Sequence, residues 1–159
     1  MKASVVGTVV FILLLLVFAE GKTQKVYMKA QGGKSGMITD NNPNVPPKFQ
    51  NRIELTGYSF ESGSSGTGKS RPPMIITKNN GPSSIQLYNA QVNNEQLKVV
   101  IIEIYKVNSS GTEVLEQTIT LNNVTISYFR QHYDTTPSTG EAKGPTDEMR
   151  LTYQKMTMN

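Results

Sequence analysis

Between Leu97 and Val107 the chain is apolar in both phases of a two-residue period, with Leu97, Val99 and Ile101 in one phase and Val100, Ile102 and Ile104 in the other. Successive side chains of a strand point to opposite faces, so such a segment needs packed material on both sides and belongs at the centre of a sheet. The rest of the chain supplies neighbours in the same rhythm. Val26, Met28 and Ala30 alternate with Tyr27 and Lys29, and Leu115, Ile119 and Leu121 alternate with Glu116, Thr118 and Thr120. Val124, Ile126 and Tyr128 continue the pattern, Met149, Leu151 and Tyr153 close it, and Met74–Thr77 forms a short apolar block of its own. This periodicity predicts strands throughout, with Leu115, Ile119 and Leu121 facing inward.

The breaks are turn chemistry. Gly32–Gly36 separates the first strand from a short Met37–Thr39 segment, Asn41–Pro47 is too rich in Asn and Pro for regular structure, and Asn108–Gly111 reads as a hairpin turn. In Arg52–Glu61 the apolar phase shifts from Ile53 and Leu55 to Tyr58 and Phe60 at Gly57, which predicts a bulge at Thr56-Gly57. Asn122-Asn123 predicts a kink or turn. Pro82, followed by Ile85, Tyr88 and Val92 at helical spacing, marks the single short helix. Two long polar loops remain, Ser62–Pro73 and Thr135–Asp147. The expected class is all-β with one short helix, in the form of a barrel or sandwich.

At the N-terminus, Lys2 precedes an apolar run from Val5 to Phe18 and then Ala19-Glu20-Gly21-Lys22. The run is shorter than the roughly 20 residues that a membrane-spanning helix needs, and the layout is that of a secretory signal peptide. Cleavage is expected near Ala19, leaving residues 20–159 as one domain with no stable membrane anchor. Export normally favours disulfides, yet the chain has no cysteine, so its stability rests on core packing and subunit contacts. The formal charge of +4 is modest, and Lys2 leaves with the leader. Lys29, Arg52, Lys69, Arg71, Lys106 and Arg130 are scattered, which does not build a nucleic-acid groove.

Gly63-Ser64-Ser65-Gly66-Thr67-Gly68-Lys69-Ser70 satisfies the nucleotide-binding pattern GxxxxGK(S/T). That chemistry requires a helix starting at the Lys and Ser, whose N–H groups face the phosphates. Arg71-Pro72-Pro73 follows instead and stops any helix within a turn, so the segment reads as a loop. His132 is the one histidine, near Asp134, and no convergent third group marks a catalytic triad. Asp40, Asn42 and Asn44 echo the start of a calcium loop, but Pro43 intrudes and Val45 stands where Gly is needed. No cofactor and no enzymatic activity are expected.

The order of segments resembles the Hcp family. The resemblance rests on Val26–Ala30, on Arg52–Leu55 with Gly57–Phe60, on Met74–Lys78, and on the helix-then-strand segment Ser83–Lys106. It continues in Leu121–Ser127, of the form L-x-x-V-x-I-S, and in Pro145–Met156, close to P-x-E-x-x-x-L-x-(F/Y)-x-K-I. The resemblance implies an Hcp-like β-barrel of two packed antiparallel sheets. It also implies a structural protein that closes head to tail into rings of six, stacks into a type VI secretion tube, and holds small effector proteins in its lumen. By the same resemblance, the loop residues Gly63, Ser64, Ser65, Gly66, Thr67, Gly68, Lys69, Ser70 and Arg71 are an assembly element reaching a neighbouring subunit. The leader implies a secreted variant, periplasmic or extracellular. The alternative expectation is a secreted β-sandwich binding module for glycan or protein, built on Tyr58, Phe129 and Tyr133 as exposed aromatics.

Overall fold

The computed structural model describes residues 24–62, 71–133 and 144–159. The leader, the loop residues Gly63–Ser70 and Asp134 lie outside the described residues. In chain order the elements are β1 (Gln24–Gly32), β2 (Met37–Ile38), a 3-10 turn (Pro47–Phe49), β3 (Ile53–Leu55), β4 (Gly57–Ser59) and β5 (Met74–Asn79). They continue with α1 (Pro82–Val92), β6 (Gln96–Val107), β7 (Glu113–His132) and β8 (Thr146–Met158).

All pairings are antiparallel, and the strands run in the order β2-β1-β6-β7-β8-β5-β4. The segment expected to carry a bulge is what closes this sheet into a barrel. β3 pairs with β1, at Met28↔Ile53 and Val26↔Leu55, whereas β4 pairs with β5, at Gly57↔Thr77 and Ser59↔Ile75. The chain changes neighbours at Thr56, whose N–H donates to the Thr77 carbonyl at 2.9 Å. The expected two layers are thus two walls of one continuous sheet. Their inward residues, including Met28, Ile53, Met74, Ile76, Ile102, Ile119, Leu121 and Met149, form one buried core.

As anticipated, β6 lies inside the sheet and is covered on both faces. Its register against β1 slips at Lys98, which is skipped between Leu97 and Val99, whereas pairing with β7 keeps one register across that point. Leu97 therefore joins Val100, Ile102 and Ile104 in the core, while Val99 and Ile101 are half-buried on the other face. Farther along that second face, Tyr27, Phe49 and Tyr105 make a separate cluster. The Tyr27 and Phe49 rings stack at 4.1 Å, and the Tyr105 ring meets Phe49 edge-on at 4.9 Å. The loop after β2 is thus tied down by Phe49, delivered by the 3-10 turn, and β1 is buried on both faces at Tyr27.

A second slip, between Ile104 and Tyr105, pairs those residues with Gln117 and Leu115 and leaves Glu116 unpaired. The bulge breaks the alternation, so Leu115 is half exposed rather than inward, unlike Ile119 and Leu121. The Asn122-Asn123 kink does not end the strand: Asn123 takes a φ of 52° and β7 runs on to His132. Asp147, expected in a loop, lies in β8 and is fully buried.

The turn between β1 and β2 is held by Glu95, whose carboxylate accepts from the N–H groups of Lys34 and Ser35 at 2.7 and 2.8 Å. A Cβ at Gly32 would sit 2.4 Å from Glu95 Oε1, so only glycine lets this carboxylate close on the turn. Because the Glu116 bulge puts Leu115 outside the core, Leu121→Ala is expected to cost about 2–5 kcal/mol and Leu115→Ala no more than about 0.5 kcal/mol in urea unfolding of the isolated chain. Equal losses would contradict this register.

Candidate assembly surface

Among the described residues, the stretches of strand that lack a partner on one side include the start of β7 and the end of β8. On β7, Glu113–Gln117 pairs with β6 alone, because the β8 side of β7 begins at Thr118, which exchanges 3.0 Å hydrogen bonds with Asn159. On β8, Thr152–Met158 pairs with β7 alone, since pairing with β5 stops at Leu151. Strand edges of this kind present unpaired N–H and C=O groups that another chain can meet. Of the loop residues singled out in the sequence, Arg71 is described: its Nη1 donates to the Gln154 carbonyl on the β8 edge. Ser59, Phe60 and Glu61 on one side and Pro72 and Pro73 on the other line a cleft at the base of that loop, so the loop leaves and returns near β8. Residues Arg71–Pro73 run without helix into β5, so the nucleotide-pattern residues are not followed by the helix N-terminus their chemistry requires.

Beside this wall lies a buried polar cluster. Lys78 continues the inward phase of Met74 and Ile76 on β5, Asp147 continues that of Met149 and Leu151 on β8, and the two are paired across the ladder. Both are fully buried. The Lys78 ammonium donates to the Asn79 carbonyl at 2.7 Å and to Ser84 Oγ at 2.9 Å, and lies 3.5 Å from Asp147 Oδ2. Ser84 Oγ also accepts from the Gly81 N–H at 3.0 Å and donates to Asp147 Oδ2, while Gln131 Nε2 donates to Asp147 Oδ1 at 3.1 Å. Every donor of Lys78 and every site of the Ser84 hydroxyl is engaged. The cluster therefore locks α1, β5, β7 and β8 together, and its serine is held as a structural group.

Ser84 inward fixes the rotation of α1. Ser83, Ser84, Leu87 and Ala90 face the barrel, and the stripe Ile85, Tyr88 and Val92, which marks the helix in sequence, faces out. Tyr88 meets Phe129 edge-on at 5.6 Å beside a cavity of about 400 Å³ lined by Asn80, Ser84, Ile85, Tyr88, Phe129 and Gln131. Of the aromatics expected as a ligand platform, Tyr58 and Phe129 pack against the core and Tyr133 is exposed, so the three do not form one exposed surface.

On the opposite face, Glu103 sits between Lys29 Nζ at 2.9 Å and Arg52 Nε at 2.6 Å. Burial opposes its ionisation, yet the hydrogen bonds from Arg52 and Lys29 outweigh it and hold the carboxyl below its ordinary 4.5. Glu113 is held low by its hydrogen bond from Lys25, with Lys48 adding to it, and Glu95 by its bonds from Ser35 and Lys34. His132 is exposed at the end of β7. Asp40 Oδ1 accepts the Ser83 N–H at 2.9 Å and so serves the N-terminus of α1. The described residues contain no cluster of three or more acidic or histidine side chains able to hold a metal.

The family profile described as type VI secretion system effector, Hcp, matches residues 27–159. The chain belongs to the Hcp family. Among solved structures it is similar to an Hcp protein with a TM-score of 0.77 at 17% identity, covering 86% of this chain and 91% of that one. It is similar also to the secreted protein Hcp3 from Pseudomonas aeruginosa, with a TM-score of 0.72 at 22% identity over 86% and 90%. Hcp1 from the E. coli EAEC 042 pathovar follows with a TM-score of 0.67 at 20% identity over 85% and 88%. At these identities the likeness is one of fold, and that fold is the Hcp barrel. By sequence, no relative is found among curated proteins.

Removing one member of a buried, hydrogen-bonded ion pair strands the other, so Lys78→Met or Asp147→Asn is expected to cost about 3–5 kcal/mol in chemical denaturation. Near-neutral singles would mean that the cluster does not lock the fold. A carboxyl whose folded pKa is depressed stabilises fully above its unfolded value and loses that contribution as pH falls through the folded pKa. Stability should therefore fall below about pH 4.5, where Glu95, Glu103 and Glu113 begin to protonate. The slope of unfolding free energy against pH should be shallower in Glu103→Gln.

Proposed function

We propose that this Hcp-family chain is a structural, self-assembling protein of type VI secretion that closes head to tail into rings of six. The observation that carries the reading is the match of the family over nearly the whole barrel, on a chain whose wall ends in two different unpaired edges, on β7 and on β8. Different edges on one subunit suit heterologous contacts, which close when the rotation between copies divides a full turn. In this reading the loop residues Gly63–Arg71 serve as an assembly element between copies. The role is non-enzymatic, the partners are further copies of the chain and small effector proteins in the lumen, and nucleic acid is not among them.

The proposed unit is residues 20–159, one Hcp-like domain, released from a signal peptide at residues 1–19 into the periplasm or the extracellular space. With no cysteine in the chain, the stability of this unit rests on core packing and subunit contacts.

Light scattering of residues 20–159 across a range of concentrations, with negative-stain images of the same sample, tests the reading. A mass of six chains and annular particles are expected, with deletion of Ser64–Ser70 lowering the assembled fraction while the chain stays folded. A concentration-independent monomer would remove the ring.

A further inference from the structure

The segment between β2 and β3 leaves the sheet and returns to almost the same place. β6 occupies one side of β1, so β2 and β3 share the other, with Ile38 opposite Ala30 and Ile53 opposite Met28. Those two partners are neighbours on one face of β1, about 7 Å apart along the strand, yet residues 39–52 lie between Ile38 and Ile53. A surface loop whose ends stand this close is an Ω-loop, a compact unit packed by its own side chains. Here the Asn42 N–H donates to the Gln50 carbonyl at 3.1 Å, the Phe49 N–H to the Pro46 carbonyl at 2.8 Å, and the Arg52 N–H to the Phe49 carbonyl at 3.0 Å. None of residues 41–52 belongs to the main core. A cavity of about 340 Å³ separates Asn41, Asn42 and Pro43 from the turn at Asn79–Pro82.

Among the described residues, the loop is held to the barrel through a few side chains. Phe49 packs on Tyr27 and Tyr105, with Val45 beside them, and Lys48 and Arg52 pair with Glu113 and Glu103 at 3.1 and 2.6 Å. Lys48 Nζ and the Arg52 guanidinium also lie 4.6 and 5.5 Å from the centre of the Phe49 ring. The charges are arranged so that acid acts on the loop. Glu103 is shared by Lys29 and Arg52, and Glu113 by Lys25 and Lys48, so each carboxylate holds one cation from β1 and one from the loop. Protonating both leaves four positive charges around two neutral carboxyls. Lys25 and Lys29 are fixed in β1, whereas Lys48 and Arg52 can move away with the loop. The other titratable groups on this face do not replace the lost charge. Burial pushes the Tyr27 and Tyr105 hydroxyls up, so both stay neutral, and Glu54, opposite Tyr27 on β3, is exposed and pairs with no cation among the described residues.

We infer that residues 41–52 are a strap that acid lifts from the barrel as one unit while the barrel stays closed, uncovering the rings of Tyr27 and Tyr105. The trigger is protonation of Glu103 and Glu113. Both carboxyls are held below their ordinary 4.5, so their grip on the strap is complete at neutral pH and is lost as pH falls through their folded values. Opening of this kind gives up a few side-chain contacts and leaves those of the core in place.

Hydrogen exchange read by mass spectrometry tests the strap in residues 20–159, with every rate divided by the intrinsic rate of that amide at the same pH. Between pH 7 and about pH 4, the bonded amides of Asn42, Phe49 and Arg52 are expected to lose protection by about tenfold, while those of β6 keep theirs. At pH 7, Glu103→Gln together with Glu113→Gln is expected to bring the same loss and faster tryptic cleavage after Lys48. Glu95→Gln, which loosens a different turn, is expected to do neither. Should the double variant not fold, Lys48→Met carries the same test, since it leaves Glu113 paired with Lys25: the strap amides are expected to exchange faster and those of β6 to stay unchanged. Strap amides that exchange only as fast as those of β6 would mean that the strap opens with the whole barrel. Strap protection unmoved by acid and by the variants would mean that Glu103 and Glu113 do not hold it, and either result overturns the inference.

Discussion

The ion pair between Lys78 and Asp147 holds more of this molecule in place than any other single contact. Two full charges removed from water are tolerated only when every polar site finds a partner, and here the partners come from four elements: the Asn79 carbonyl, Ser84, Gln131 and each other. Satisfying the pair therefore fixes positions that apolar packing would leave adjustable. It sets the register of β5 against β8, the approach of α1 to the sheet, and the rotation of α1 about its own axis. Leu87 and Ala90 enter the main core as a result, and Ile85, Tyr88 and Val92 are turned outward.

Closure of the barrel solves a different problem. An open antiparallel sheet of this length would expose edges along its whole height, and the switch of partners at Thr56 removes most of them with one short, bent segment. What remains open among the described residues includes the start of β7 and the end of β8. Those two stretches belong to the longest strands, which overrun their neighbours, so the open edges result directly from unequal strand length. Such edges offer unpaired N–H and C=O groups that another chain can meet.

Much of this architecture was legible in the residues. The two-phase apolar run placed β6 inside the sheet, Gly57 and its phase change located the partner switch, and Pro82 with helical spacing bounded α1. Other features depended on contacts that one-dimensional periodicity cannot register. Ile85, Tyr88 and Val92 define a helical stripe as well as Ser83, Leu87 and Ala90 do, and the choice between them was made by the hydroxyl of Ser84, which the buried charges require. Leu115 has the phase of Ile119 and Leu121 until a bulge removes one residue from the count. Lys78 and Asp147 did leave a signal: each continues the inward alternation of an apolar strand, and a charge in that phase implies a partner at the same depth. The Tyr27–Phe49–Tyr105 cluster left little, because Phe49 comes from a Pro and Asn-rich loop whose composition describes its backbone and not its anchoring side chain.

An apolar trio of similar volume in place of Lys78, Ser84 and Asp147 could match or exceed the stability of the polar cluster, since ion pairs seldom repay their full desolvation. Stability alone does not account for it. Apolar side chains tolerate slippage and rotation because their contacts are not directional, whereas a serine hydroxyl that accepts two hydrogen bonds and donates a third has one workable orientation. A rotation of α1 by a single residue, about 100°, would take Ser84 out of reach of both charges and leave them buried without it. The same rotation would move Ile85 and Tyr88 relative to the Phe129 cavity. The buried charges thus determine the shape that the outer face of α1 presents, which directionless apolar packing would leave adjustable.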